Sequence, residues 1–146
     1  MPAEHLKLTG HLEIVLIRPD GSRSVRLIHN LVVNVGKALV ADRLMVAPTL
    51  DAITHMAVGV GTTPPTVLDT ALVSEVLRKA FDSADLVDLT IVYVAIFGPG
   101  EASGALVEAG LFNADVDGEM MARTVFPVVN KGIDDTLRIT WNVVVG

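Results

Sequence analysis

Thr136-Leu-Arg-Ile-Thr-Trp-Asn-Val-Val-Val145, TLRITWNVVV, puts Leu137, Ile139, Trp141, Val143 and Val145 on one side and Arg138, Thr140 and Asn142 on the other. A period of two sends successive side chains to opposite faces, so the segment reads as a strand with one face against a core. Working back toward the N-terminus, Met120 to Phe126 and Ala105 to Phe112 read as further strands, separated by the turn chemistry of DVDGE and followed by that of NKGIDD. Val87 to Phe97, VDLTIVYVAIF, alternates Leu89, Ile91, Tyr93, Ala95 and Phe97, but Val92, Val94 and Ile96 make its other side apolar as well. That pattern predicts a central strand covered on both faces.

Nearer the N-terminus, Ile53 to Val60 reads as a strand running into GVGTTPP. His11 to Ile17 and Ser24 to His29 flank Pro19-Asp20-Gly21-Ser22 and form a hairpin. Asn34 is placed to cap a helix through Val35, Ala38, Leu39, Leu44 and Met45, stopped by Pro48. The segment Thr66 to Arg78, TVLDTALVSEVLR, is open between an irregular wrap and a short helix. Seven or eight short antiparallel strands with one short α-helix predict an all-β fold, a β-sandwich or jelly roll. One domain over residues 1–146 is expected, with the N-terminal hairpin, residues 1–30, as a candidate contact arm. Ile91, Tyr93, Phe97, Phe112, Phe126, Ile139 and Trp141 are the expected core.

Composition bounds the function. The chain has 146 residues, a net charge of −6 and no cysteine, which removes thiolate chemistry, cysteine metal sites and disulfides. No Lys/Arg cluster provides a nucleic-acid footprint, and no apolar run approaches a membrane span. The charged N-terminus predicts a soluble, unprocessed chain. Hydrophobic residues make up 51% and charged residues 19%, with a mean hydropathy of +0.53. Since only 4% are aromatic, the apolar surplus is aliphatic and predicts subunit seams rather than ligand cages.

No motif for chemistry is complete. Gly59-Val-Gly61-Thr-Thr-Pro64 begins like a dinucleotide fingerprint, but proline stands where the third glycine belongs. Asn113, Asp115, Asp117 and Gly118 reproduce the first half of an EF-hand loop, making the first three a weak calcium candidate, yet the twelfth position is Thr124. A polar β-turn is the favoured reading there. His5, His11, His29 and His55 form no ligand spacing. Ser103 has no local base, and Glu101 and Glu108 could face each other across a hairpin, but solvated or interface-pairing carboxylates are the favoured role. Neither a catalytic residue nor a cofactor is expected.

Phe97 to Phe112, FGPGEASGALVEAGLF, is chemically plain and conformationally specific: Pro99 and Gly100 turn the chain, Gly104 permits a tight return, and Gly110 leaves room for close approach. With GVGTTPP (Gly59 to Pro65), DTALVSE (Asp69 to Glu75), ARTVFP (Ala122 to Pro127) and DTLRITW (Asp135 to Trp141), it forms an ordered set spanning roughly Asn30 to Val145. In this set the sequence resembles small structural proteins of tailed bacteriophages, the capsid decoration (cement) or tail-fibre-like family. The resemblance implies a non-enzymatic virion protein made in the bacterial host cytoplasm and placed on the outer capsid surface. It implies as partners further copies of the chain, as a homo-dimer or homo-trimer, and the major capsid protein, without direct contact to nucleic acid or membrane. A tail-fibre or tail-associated role is the first alternative; a carbohydrate-binding or adhesion sandwich is the second. The N-terminal hairpin, where the likeness is weakest, is expected to supply variable contacts, so that deleting residues 1–19 would lower occupancy more than it disturbs the fold.

Overall fold

A computed structural model describes residues 5–146. Among these, the strands are β1 (Leu8–Ile17), β2 (Arg23–His29), β3 (Leu31–Val32), β4 (His55–Gly59), β5 (Glu75–Ala80), β6 (Ser83–Val87), β7 (Thr90–Phe97), β8 (Gly104–Phe112), β9 (Met120–Lys131) and β10 (Thr136–Val145), with one helix, α1 (Asn34–Arg43). They form two five-stranded sheets, ordered β2-β1-β10-β7-β6 and β3-β9-β8-β4-β5. Every pairing is antiparallel. The fold is an all-β sandwich with one short helix, as the alternation predicts.

Register explains the core. Leu12, Ile14 and Leu16 lie opposite Trp141, Ile139 and Leu137, which lie opposite Tyr93, Ala95 and Phe97. This face meets Met56, Val58, Leu106, Leu111, Phe126 and Val129 of the second sheet in one buried cluster. Of the expected core residues, Phe112 sits in a separate small cluster with Val33, Ala57, Leu72 and Met120. Ile91 is only partly buried.

The count of ten strands exceeds the expected seven or eight. Ser83–Val87 has every residue exposed, so it carries no burial alternation to read. The open segment from Thr66 resolves into an irregular strap rather than a helix, with a turn at Thr66–Asp69 and its last residues joining β5 on the edge of the second sheet. β7 starts at Thr90 because Asp88 takes a positive φ of 53° in the turn from β6. Nor is β7 covered on both faces: β6 is its outer neighbour, and Ile96 is exposed.

Two local expectations also change. Asn34 does not cap the helix; Val33 occupies that position without a side-chain cap, while the Asn34 amide donates to the Val67 carbonyl. Leu44 and Met45 lie beyond the helix and are exposed, leaving Gly36 and Leu39 as its buried residues. Gly36 lies directly against the Met121 carbonyl, where a Cβ would collide, so close backbone approach joins a short stripe of Val35, Leu39 and Val40 in docking the helix. The hairpin, expected as a contact arm, is built into the first sheet rather than standing off it, and its outer strand β2 is a sheet edge. β1 pairs with both β2 and β10, and Leu12 and Ile14 are 0% and 1% exposed. Deleting residues 1–19 would remove an internal strand of the sandwich; of these, residues 1–4 lie outside the described residues.

Candidate functional site

The outer face of the second sheet carries the most elaborate polar structure in the molecule. Period two places Glu108 on β8 and Arg123 on β9 on the side away from the main core, since their neighbours Ala109 and Ala122 join that core. Both are nevertheless 0% exposed, because residues 60–74 cross over them as a strap.

The Arg123 guanidinium meets Glu108 through Nε to Oε1 at 3.1 Å, Asp69 through Nη1 to Oδ2 at 3.0 Å, and the Thr63 carbonyl through Nη2 at 2.8 Å. Glu108 accepts three strap amides: Gly61 and Ser74 on Oε2 at 2.7 and 2.8 Å, and Val73 on Oε1 at 3.0 Å. Gly61 makes this possible, since a Cβ there would strike the Glu108 carboxylate. The ionic group thus staples both ends and the middle of the strap to the sheet. Glu108 has its carboxylate fully engaged as an acceptor, so the solvated or interface-pairing role expected for it does not hold. Burial forces pairing on it.

Asp69 completes the clamp at the strap's middle. Burial pushes its carboxyl pKa up, but the Thr66 amide and hydroxyl, both at 3.0 Å, and the Arg123 charge more than offset this and hold it below the ordinary carboxylate value. A carboxyl with a lowered native pKa stabilises fully above its unfolded value and loses that contribution as pH falls through the native one. The thermal midpoint is therefore expected to drop below about pH 4, and Asp69→Asn to show a shallower acid-side drop in calorimetry between about pH 6 and 2.5.

Glu101 and Glu108 do not form a pair. Glu101 sits in the Phe97–Gly104 corner, where Oε1 accepts the Gly98 amide at 3.0 Å and the carboxylate meets Lys79 at 3.4 Å. The Gly98 amide, against an upward push from burial and helped by the Lys79 charge, lowers its pKa. Lys131, 2% exposed, donates to the Gly98 carbonyl at 2.9 Å, and burial pulls its ammonium pKa down despite Asp135 and Glu101. Pro99 is exposed; Gly100 and Gly104 have φ of 78° and 138°. Gly110 faces Phe112 and Leu72, which a Cβ would crowd. Ser103 is exposed.

Of the three calcium-candidate side chains, Asn113 is tied into the turn, while Asp115 and Asp117 are exposed. Asn113 Oδ1 accepts the Glu119 amide at 2.7 Å, and its Nδ2 reaches the Asp51 carbonyl at 3.3 Å. The Arg78 guanidinium takes the Ala114 and Asp117 carbonyls at 3.0 and 2.8 Å while stacking 3.6 Å over Phe112. A fixed protein cation thus closes this loop, with Asp117 at a φ of 54° before Gly118. Among the described residues no cluster of three or more His, Asp or Glu side chains is arranged to hold a metal. The fold does bring His11 and His29 opposite each other across β1 and β2, both exposed, a juxtaposition invisible in their spacing. His5 is exposed; His55 is half-buried and bonded to Thr54.

Concavities lie elsewhere, one of about 340 Å³ between Leu6–Thr9 and Lys37 among them. A cleft of about 650 Å³ lies between strap residues Thr70 to Leu72, Arg78 and the Asp115–Glu119 turn. An apolar hollow of about 250 Å³ opens beside α1, lined by Leu39, Val40, Leu44, Ile53, Ile91 and Tyr93 among others. Burial raises the Tyr93 phenol pKa, and its ring stacks on Phe81 at 4.6 Å.

Arg123 and Asp69, the residues that organise this face, were not singled out by motif. For Arg123 the signal is positional: its charge at mid-strand in MMARTVFP and that of Glu108 in VEAGLF can be buried only as partners, whereas Asp69 lies outside any strand and carries no such signal. None of the described helices is long and apolar enough to cross a membrane. Compared with protein-family models, curated proteins and solved structures, the chain shows no significant match to any.

Proposed function

We propose that the chain is a non-enzymatic structural subunit of a tailed-bacteriophage virion, a decoration protein that lies on the outside of the head and bridges major capsid protein subunits. One observation carries this reading: four of the five segments in which the sequence resembles that family converge on the clamp. GVGTTPP contributes Gly61 and Thr63, DTALVSE contributes Asp69 and Ser74, FGPGEASGALVEAGLF contributes Glu108, and ARTVFP contributes Arg123. What those segments have in common is thus the fixing of a surface shape, which suits a subunit whose product is geometry. The buried charges are spent on backbone amides and carbonyls rather than aimed into a cleft.

The surface supports association. Leu27, Leu44, Met45, Val46, Leu68 and Leu86 are all at least 65% exposed; of these, Leu44, Met45 and Val46 are consecutive and form a run of apolar surface that a partner would cover. Sugar stacking, by contrast, wants exposed rings, and Trp141 and Phe97 are 0% exposed.

Heads lacking the protein, with and without the purified chain added back, test the reading under osmotic shock. Added chain is expected to raise the fraction of heads retaining DNA. Equal DNA release in both samples would contradict a cementing role, and binding to isolated tails in place of heads would move the protein to the tail.

A further inference from the structure

The two sheets treat their edges differently. In the second sheet β3 is only two residues long, and β5 is bulged opposite Val58 and Gly59 of β4. These are devices that discourage a further strand from pairing. In the first sheet β2 and β6 are regular in register, contain neither proline nor lysine, and expose Val25 and Leu27 on one and Leu86 and Val87 on the other. Each leaves a row of backbone N–H and C=O groups unpaired along its outer side.

The two bare edges carry opposite charge. The β6 hairpin holds Asp82, Asp85 and Asp88, all exposed, with no cation between residues 82 and 89. Residues 18–29 hold Arg18, Arg23 and Arg26 against the single acid Asp20, which accepts the Ser22 amide; Arg18 and Arg23 are exposed, while Arg26 donates to the Val128 carbonyl. Pairing β6 with β6 would set aspartates against aspartates, and β2 with β2 arginines against arginines; like charges across an interface cost affinity. Only β2 against β6 is complementary.

We propose that copies of this chain associate head to tail, the β6 edge of one extending its first sheet onto the β2 edge of the next. Four antiparallel steps separate these strands within a sheet, so they run in the same direction. Copies facing the same way therefore meet through a parallel pair. Such a contact is heterologous: it closes into a ring or continues as a filament, and it does not stop at a two-fold dimer. This deepens the assembly reading above but does not depend on a capsid.

The test reverses each edge. One variant combines Arg18→Asp and Arg23→Asp; the other combines Ser83→Lys, Asp85→Lys and Asp88→Asn, the asparagine being tolerated at a positive φ. All five positions are exposed, so circular dichroism should show both variants folded. By sedimentation velocity the wild-type chain is expected to exceed two subunits as concentration rises. Each variant alone should associate at least about tenfold more weakly, and an equimolar mixture should recover the wild-type behaviour because the two reversed edges attract. A wild-type chain that stays monomeric or stops at a dimer, a variant that assembles normally, or a mixture that fails to recover would each overturn the proposal. A monomer that still protects heads would sink this inference alone, whereas rings that ignore heads would leave it standing and sink the decoration role.

Discussion

Arg123→Ala is expected to destabilise the protein by about 3–5 kcal/mol, the cost of leaving a buried ionic partner unpaired. The guanidinium is 0% exposed and holds Glu108, Asp69 and the Thr63 carbonyl together. Its removal strands the equally buried Glu108 carboxylate among three amides with no counter-charge. Glu108→Ala should cost a similar amount for a different reason, because it orphans the amides of Gly61, Val73 and Ser74 as well as Arg123. The double variant should cost much less than the sum of the two, since each single change breaks the same unit. Urea denaturation of the three variants measures this. Hydrogen exchange should further place the loss in residues 60–74, whose amides lose protection before those of β1 and β10. Additive single costs, or a strap that stays protected in Arg123→Ala, would show that the clamp does not hold it.

Trp141→Ala is expected to lower stability by about 3–5 kcal/mol through the cavity it leaves at the centre of the main core. Trp141 is the largest fully buried side chain and lies between Leu12 and Tyr93 in the first sheet. Its Nε1–H also donates to Asn30 Oδ1 at 2.9 Å, a bond at the link between the two sheets. Asn30 Nδ2 is buried without a partner, so the oxygen carries that residue's side-chain pairing. Trp141→Phe keeps most of the volume and loses the bond, and about 1 kcal/mol is expected for the bond itself. A Phe variant as damaged as the Ala variant would place the hydrogen bond, rather than volume, in command of the site.

The sandwich was legible where one face of a strand is wet and the other dry. β10 is read correctly from end to end because Leu137, Ile139, Trp141 and Val143 alternate with residues that meet solvent. β6 was missed because an edge hairpin exposed on all sides leaves no period to detect. The strap was ambiguous for a related reason: its order comes from Glu108 and Arg123, distant in sequence, rather than from its own propensities. The same long-range pairing hid the clamp. Each of its segments reads as turn chemistry alone, and only the register of β8 against β9 shows why a glutamate and an arginine stand in otherwise apolar strands. The corner at Pro99, Gly100 and Gly104 was visible locally because left-handed backbone is local.

Counting copies bound per head measures the central claim most directly. Purified chain is titrated onto heads that lack it, unbound chain is removed by sedimentation, and the bound 15.5 kDa band is quantified against the major capsid protein. A shell-bridging subunit predicts saturation at a fixed ratio of chain to capsid protein, the same on every preparation. Heads that sediment free of the chain at every concentration would contradict it.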